Sequence, residues 1–131
     1  MRVIHTENNI CCKDIDTLGK IFCSLIGKTG YESVLAAYLD EDMCLRAVVE
    51  ISVGTQTRVD HTVNDIYLCA VNFSSRKIVL AHNHPAGPLE PSLADIRATE
   101  TVSKILELNN VSLLDHLIIC GDKYVSVLKD S

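Results

Sequence analysis

His82 and His84, followed eleven residues later by Asp95, are the side chains whose types and spacing best suit chemistry in this chain, and the chemistry they suit is metal binding. Residues two apart on an extended chain point to the same side, so the imidazoles can converge. Ile78-Val79-Leu80-Ala81 reads as a buried strand running into them. Pro85 disfavours the helical region for His84 and keeps the chain extended through it. Gly87, Pro88 and Pro91 oppose a helix in the loop that follows, and Ser92 with Asp95 three residues on reads as a helix start facing back on the histidines. Two imidazoles and one carboxylate would leave the fourth position of a tetrahedral zinc to water.

Each of these residues has an ordinary explanation when taken alone. A strand-end histidine is more often a hydrogen-bonded structural group than a ligand, and Ser92-x-x-Asp95 fits a capping box that needs no metal. Together they form a costly cluster of polar groups beside an apolar strand, which favours a site. The partial positive charge of a helix start holds Asp95 ionised, the state a zinc ligand needs, so capping and ligation are compatible.

The elements that must position these side chains follow from apolar periodicity. Residues 1–12 form an arm, or an edge strand through Val3 and Ile4. Asp14 or Asp16 caps a helix with an apolar stripe of Leu18, Ile21, Phe22, Leu25 and Ile26, ended by Gly27 and Gly30. Ser33 to Leu39 is nearly continuous in apolar character, as a central strand covered on both faces would be, and Cys44 to Val53 pairs with it as a hairpin before Gly54-Thr55 breaks the run. Asp60 or Thr62 caps a second helix through Val63, Ile66, Tyr67, Ala70 and Val71, ending near 72–75. Lys77 to Ala81 delivers the histidines. A helix from Ser92 turns Ile96, Val102, Ile105 and Leu106 inward and stops at Asn109-Asn110. Leu114 to Cys120 and Tyr124 to Leu128 close the sheet across a Gly121-Asp122-Lys123 turn. The order predicts an α/β or α+β sandwich with a mixed sheet, in one domain over 131 residues.

A formal charge of −5 gives no general attraction to phosphate backbones, so nucleic acid is an unfavoured partner. The six cysteines include no Cys-x-x-Cys pair and several occupy apolar positions, which suits reduced thiols. With no apolar stretch of membrane-spanning length and no leader pattern, the expectation is a cytoplasmic protein without a membrane partner.

His82-x-His84-Pro85 with Ser92-x-x-Asp95 resembles the JAMM metalloprotease motif of JAB/MPN domains. His82-Asn83-His84-Pro85-Ala86-Gly87, Pro91-Ser92, Asp95-Ile96 and Leu114-Asp115-His116-Leu117-Ile118-Ile119 are similar to the RadC-like JAB branch, over about Tyr31 to Leu128. The resemblance implies a cytidine deaminase-like α-β-α sandwich and Zn²⁺ held by His82, His84 and Asp95. It also implies a catalytic glutamate before the strand that follows the first helix, where Glu32 stands, with Glu50 in the next strand as its competitor. The implied chemistry is attack of a zinc-bound water on a peptide or isopeptide amide, with Glu32 as base and then acid and Ser92 stabilising the oxyanion. Asn83 and Thr99 read as loop and helix-surface groups, and His116 as structural support, since a fourth protein ligand would close the position hydrolysis needs.

Two other functions stand beside the hydrolase: a catalytically silent JAB-fold module that binds a partner, and a DNA-repair role of the RadC type. The second ranks last, because one helix before Glu32 leaves no room for the helix-hairpin-helix segment of full-length RadC-like proteins. The substrate and oligomeric state are not encoded in any motif.

Overall fold

In the computed structural model, which describes residues 1–5, 10–54 and 59–128, the elements in chain order are β1 (Arg2–His5), α1 (Ile15–Ile26), β2 (Ser33–Leu39), β3 (Leu45–Val53), α2 (Val59–Asn72), β4 (Lys77–Asn83), α3 (Leu93–Leu108), β5 (Ser112–Cys120) and β6 (Lys123–Ser126). The strands form one mixed sheet in the order β1-β3-β2-β4-β5-β6. The β4–β5 pair is parallel and the other pairs are antiparallel. A parallel pair needs a crossover, and α3 supplies it. Arg2–His5 form an edge strand, with Val3 opposite Val49, so the first of the two readings of the N-terminal stretch gives way to the second there.

Alternation along the central strands sends side chains to two faces. On one face Leu35, Ala37 and Leu39 of β2, Val79 and Ala81 of β4, and Leu117 and Ile119 of β5 pack with Leu18, Phe22 and Ile26 of α1. On the other, Ala36, Tyr38, Val49, Ile78 and Leu80 pack with Val63 and Ile66 of α2 and Val102 and Leu106 of α3. Helices thus cover both faces, as a nearly continuous apolar strand requires. α1 starts at Asp14, whose carboxylate accepts the Asp16 N–H at 3.0 Å, and it lies close enough to β6 that a side chain at Gly19 would run into the Tyr124 ring. The Tyr124 hydroxyl then donates to Asp16 at 2.6 Å.

Several boundaries differ from the sequence reading. α2 begins at Val59, so positions 60 and 62 lie inside the helix and do not cap it; the Asp60 side chain and Thr55 lie outside the described residues. Val71 and Ile105 face solvent, while Cys69 and Thr99 take inward positions. Each helix buries only the arc that meets the sheet and its neighbour, which is narrower than its apolar stripe. β6 stops at Ser126, although Val127 is buried beyond it. β4 continues past Ala81 to Asn83 because β5 runs alongside it, pairing His82 with Ile118 and Asn83 with Ile119. Among the described residues no helix is long and apolar enough to cross a membrane.

Candidate metal centre

The site lies where β4 ends, between β5 on one side and the start of β2 on the other. His82 belongs to the strand, and His84 stays extended just beyond it because its N–H donates to the Ile119 carbonyl at 2.8 Å. Pro85 and Ala86 then make a tight turn, closed by the Gly87 N–H on the His84 carbonyl at 2.9 Å, and Gly87 adopts φ 74°, the left-handed region that favours glycine. The chain returns to Ser92, which caps α3. Its hydroxyl accepts the Asp95 N–H at 3.0 Å, and its own N–H donates to Asp95 Oδ2 at 2.9 Å, completing a reciprocal capping box.

That cap aims Asp95 at both histidines. Oδ1 lies 3.3 Å from His82 Nδ1 and Oδ2 lies 3.1 Å from His84 Nε2, with the two rings nearly perpendicular and their centroids 5.1 Å apart. One ligand atom from each of the three residues falls within 4.8 Å of the others. Tetrahedral bonds of about 2.0–2.2 Å would separate neighbouring ligand atoms by roughly 3.3–3.5 Å, close to the contacts observed. Burial works to raise the Asp95 carboxyl pKa, but hydrogen bonds from His82 and from the amide and hydroxyl of Ser92 outweigh it and hold the group below the usual carboxylate range.

His84 provides a test of whether these residues suit a cation. Its Nδ1 lies 2.9 Å from the Pro88 carbonyl, which can only accept, so Nδ1 carries hydrogen. In the neutral ring Nε2 then points a lone pair at the Asp95 carboxylate. Two electron-rich atoms at 3.1 Å repel unless a positive charge lies between them. A proton on Nε2 meets that need as a hydrogen bond to Asp95, and so does a metal ion, with Pro88 then fixing the tautomer of the ligand as outer partners of metal-bound histidines do.

Glu32 stands just before β2, its Oε2 3.9 Å from His82 Nε2 and its side chain 51% exposed, against 11% for Asp95. Glu50 is turned toward the edge strand, where it pairs with Arg2 at 3.3 Å. Ser92 borders the loop cleft together with Glu32, both histidines and Asp95. A neighbouring cavity of about 540 Å³ opens beside Glu32, His82 and Asp95, with Val34, Leu80, Ala98 and Val102 in its walls.

Two residues read as peripheral are central. Thr99 is buried one turn after Asp95 and donates to the Asp95 carbonyl at 2.7 Å. Its hydroxyl hydrogen being committed, it accepts from His116 Nδ1 at 2.6 Å, which leaves His116 Nε2 an acceptor with no hydrogen-bond partner among the described residues. Burial first, then the neighbouring His82, pushes the His116 pKa down to about 4. The His116 ring stacks near His82 at 6.4 Å, behind the three-residue cluster and not within it. Asn83 is buried at the end of β4 and is not a loop group. Its signal lay in the alternation Val79, Ala81, Asn83, which assigns it a covered position; that of Thr99 lay in its i+4 spacing from Asp95.

The model of the RadC-like JAB domain matches residues 12–131. The chain belongs to the RadC-like JAB domain family. The match begins well before Tyr31, taking in α1, so the family likeness is broader than the motifs indicate. Among its relatives are UPF0758 proteins from Finegoldia magna, 33% identical over 88% of this chain and 52% of that protein, and from Latilactobacillus sakei, 35% identical over 82% and 47%. A UPF0758 protein of Aquifex aeolicus is 39% identical over 72% of this chain and 41% of its own length. The chain thus spans about half the length of the curated relatives it matches. The mixed six-stranded sheet with three helices agrees with the JAB/MPN type of fold.

Proposed function

We propose that this RadC-like JAB domain is a zinc-dependent hydrolase of a peptide or isopeptide amide, with His82, His84 and Asp95 holding the metal. The observation that carries the reading is the cluster itself: one ligand atom each from His82, His84 and Asp95 lies within 4.8 Å of the others, with His84 Nδ1 committed to Pro88 and its Nε2 turned to the Asp95 carboxylate. Bound zinc supplies Lewis acidity, which makes a hydroxide nucleophile available near neutral pH. Glu32 is exposed and approaches His82 no closer than 3.9 Å, so its carboxylate is free to take a proton from the attacking water. It then passes that proton to the amine as the carbon–nitrogen bond breaks. The Ser92 oxygen accepts the Asp95 amide, and its hydrogen, which serves the Asp95 carboxylate in the resting site, turns to donate toward the oxyanion. The apolar cavity beside Glu32 suits a side chain flanking the scissile amide, and the charge of −5 favours a peptide or protein partner over a phosphate backbone.

Metal analysis should find one zinc in the wild-type chain and none in a His82→Ala/His84→Ala double variant that keeps its fold. Against a peptide and isopeptide library, Glu32→Gln should lower turnover by about 10²–10⁴-fold. Zinc binding with no difference between Glu32 and its Gln variant would leave a binding module, and a folded wild type without zinc affinity would overturn both readings.

A further inference from the structure

We infer that Asn83, between the two histidines, is a positioning residue: its side-chain amide replaces a missing rung between β4 and β2 and so sets where Glu32 sits. The inference rests on the reading of Glu32 as the proton carrier. In the β2–β4 ladder Val34 pairs with His82, and continuing that register would place Ser33 opposite Asn83 and Glu32 opposite His84. The ladder ends at Val34 and His82 instead, and beyond it His84 bonds to β5 through the Ile119 carbonyl. Directly opposed residues of an antiparallel pair share a face, so the end of the ladder puts Glu32 on the same side as the histidines while freeing its backbone from them.

The Asn83 amide takes over that bonding. Oδ1 accepts the Ser33 N–H at 2.7 Å, and Nδ2 donates to the Tyr31 carbonyl at 2.9 Å and to Thr29 Oγ1 at 3.1 Å. A backbone N–H can only donate and a carbonyl can only accept, which fixes the orientation of the amide. The Tyr31 carbonyl and the Ser33 N–H belong to the peptide units on either side of Glu32, and the Glu32 carbonyl accepts the Gly54 N–H at 2.8 Å. Both soft dihedrals of Glu32 are therefore held by partners, while its carboxylate approaches His82 no closer than 3.9 Å. The backbone thus fixes the direction in which the Glu32 side chain leaves the chain toward His82. Asn83 and Ser33 are both buried, so losing the bond between them leaves a buried amide without its acceptor. The geometry also explains the residue type: Asp lacks the donor for Tyr31, Leu lacks both groups, and Gln is a methylene too long.

The test uses Asn83→Ala and Asn83→Asp in the whole chain, with a Thr29→Val variant that removes one amide partner, and with it the hydroxyl's bonds to the Ile26 and Tyr31 carbonyls, while leaving the Asn83 bonds to Tyr31 and Ser33 in place. Zinc affinity is measured by chelator competition, Ser33 amide exchange by NMR, and the Glu32 carboxyl carbon shift before and after zinc addition. Both Asn83 variants should keep zinc affinity within about threefold and show less than half of the wild-type Glu32 response; Asn83→Ala should also lose Ser33 protection, whereas Asn83→Asp, which keeps the acceptor for Ser33 and loses the donor for Tyr31, should retain it, and Thr29→Val should move the Glu32 response less. A misplacement of about 1 Å can cost roughly 10²-fold, so kcat should fall by about 10–100-fold with KM nearly unchanged. An unchanged Glu32 response, or a response lost only in step with zinc affinity, would overturn the inference. If Asn83→Ala fails to fold, Asn83→Asp and Thr29→Val decide the matter by the same readouts. A wild type without turnover whose Glu32 response depends on Asn83 would sink the hydrolase and leave the positioning role standing.

Discussion

The two faces of the sheet share strands and differ in what they bury. Under α1, Leu18, Phe22, Leu35, Val79, Leu117 and Ile119 meet as hydrocarbon and aromatic surface, and Asn83 at the fringe has its amide bonds filled. Under α2 and α3 the packing of Leu80 and Val102 gives way, toward the end of β4, to Thr99, His116, His82 and Asp95. Burying an imidazole nitrogen without a partner costs about 1–3 kcal/mol, and His116 carries such an atom. One face fixes the strands, and the other gives up packing to hold polar groups at set distances. Stability and chemistry should therefore respond to different substitutions.

The largest separation is expected from Phe22→Ala, a fully buried aromatic in the α1 cluster, which should lower unfolding free energy by about 3–5 kcal/mol in denaturant melts. Zinc affinity of the fraction that remains folded should be unchanged, and a large loss of affinity would mean that the faces are coupled. Acid should act on the opposite face. His116 has its pKa lowered from 6.5 to about 4, so between those values the unfolded chain binds more protons and stability falls as pH falls. Each unit is worth about 1.4 kcal/mol, which makes the loss in metal-free protein roughly 3 kcal/mol and gives His116→Gln a flatter profile over that window. A variant with the wild-type slope would assign the acid sensitivity elsewhere.

Zinc itself should stabilise by about 2.7 kcal/mol at a hundredfold excess over Kd, raising Tm in the wild type and not in His84→Ala. Equal shifts in both would place the metal away from His84. The smallest effect is expected from Ser92→Ala, which removes the acceptor for the Asp95 amide and should cost about 1 kcal/mol. It should also weaken zinc binding, because the same cap aims the carboxylate. Loss of stability with full zinc affinity would show that Asp95 is held by the histidines alone.

The strands of both faces were legible because Ser33 to Leu39 and Ile78 to Ala81 are apolar runs whose burial depends on neighbours on both sides. The three metal-binding candidates were legible for a related reason: a strand, a proline turn and a cap are local signals, and each fixes a direction. Where several elements compete, the chain text is weaker. The start of α2 at Val59 passes through Asp60 and Thr62, two good cap residues that a longer helix overrides. Thr99 and Asn83 owe their importance to partners seventeen and fifty positions away, His116 and Ser33, which periodicity cannot pair. Glu32 lies fifty residues before His82, and its place beside the histidines came from family likeness; its geometric cause is the register of β2 on β4.

Thr99 has a mechanical consequence. Asp95 and Thr99 lie one turn apart on the same side of α3, and the hydroxyl joins the Asp95 carbonyl to the His116 ring on β5. The helix is keyed to the sheet like a shaft to its hub, so it can neither roll about its axis nor slide along β5 without breaking a short buried bond. Any roll or slide that would carry the Asp95 carboxylate away from the imidazoles therefore has to break that link.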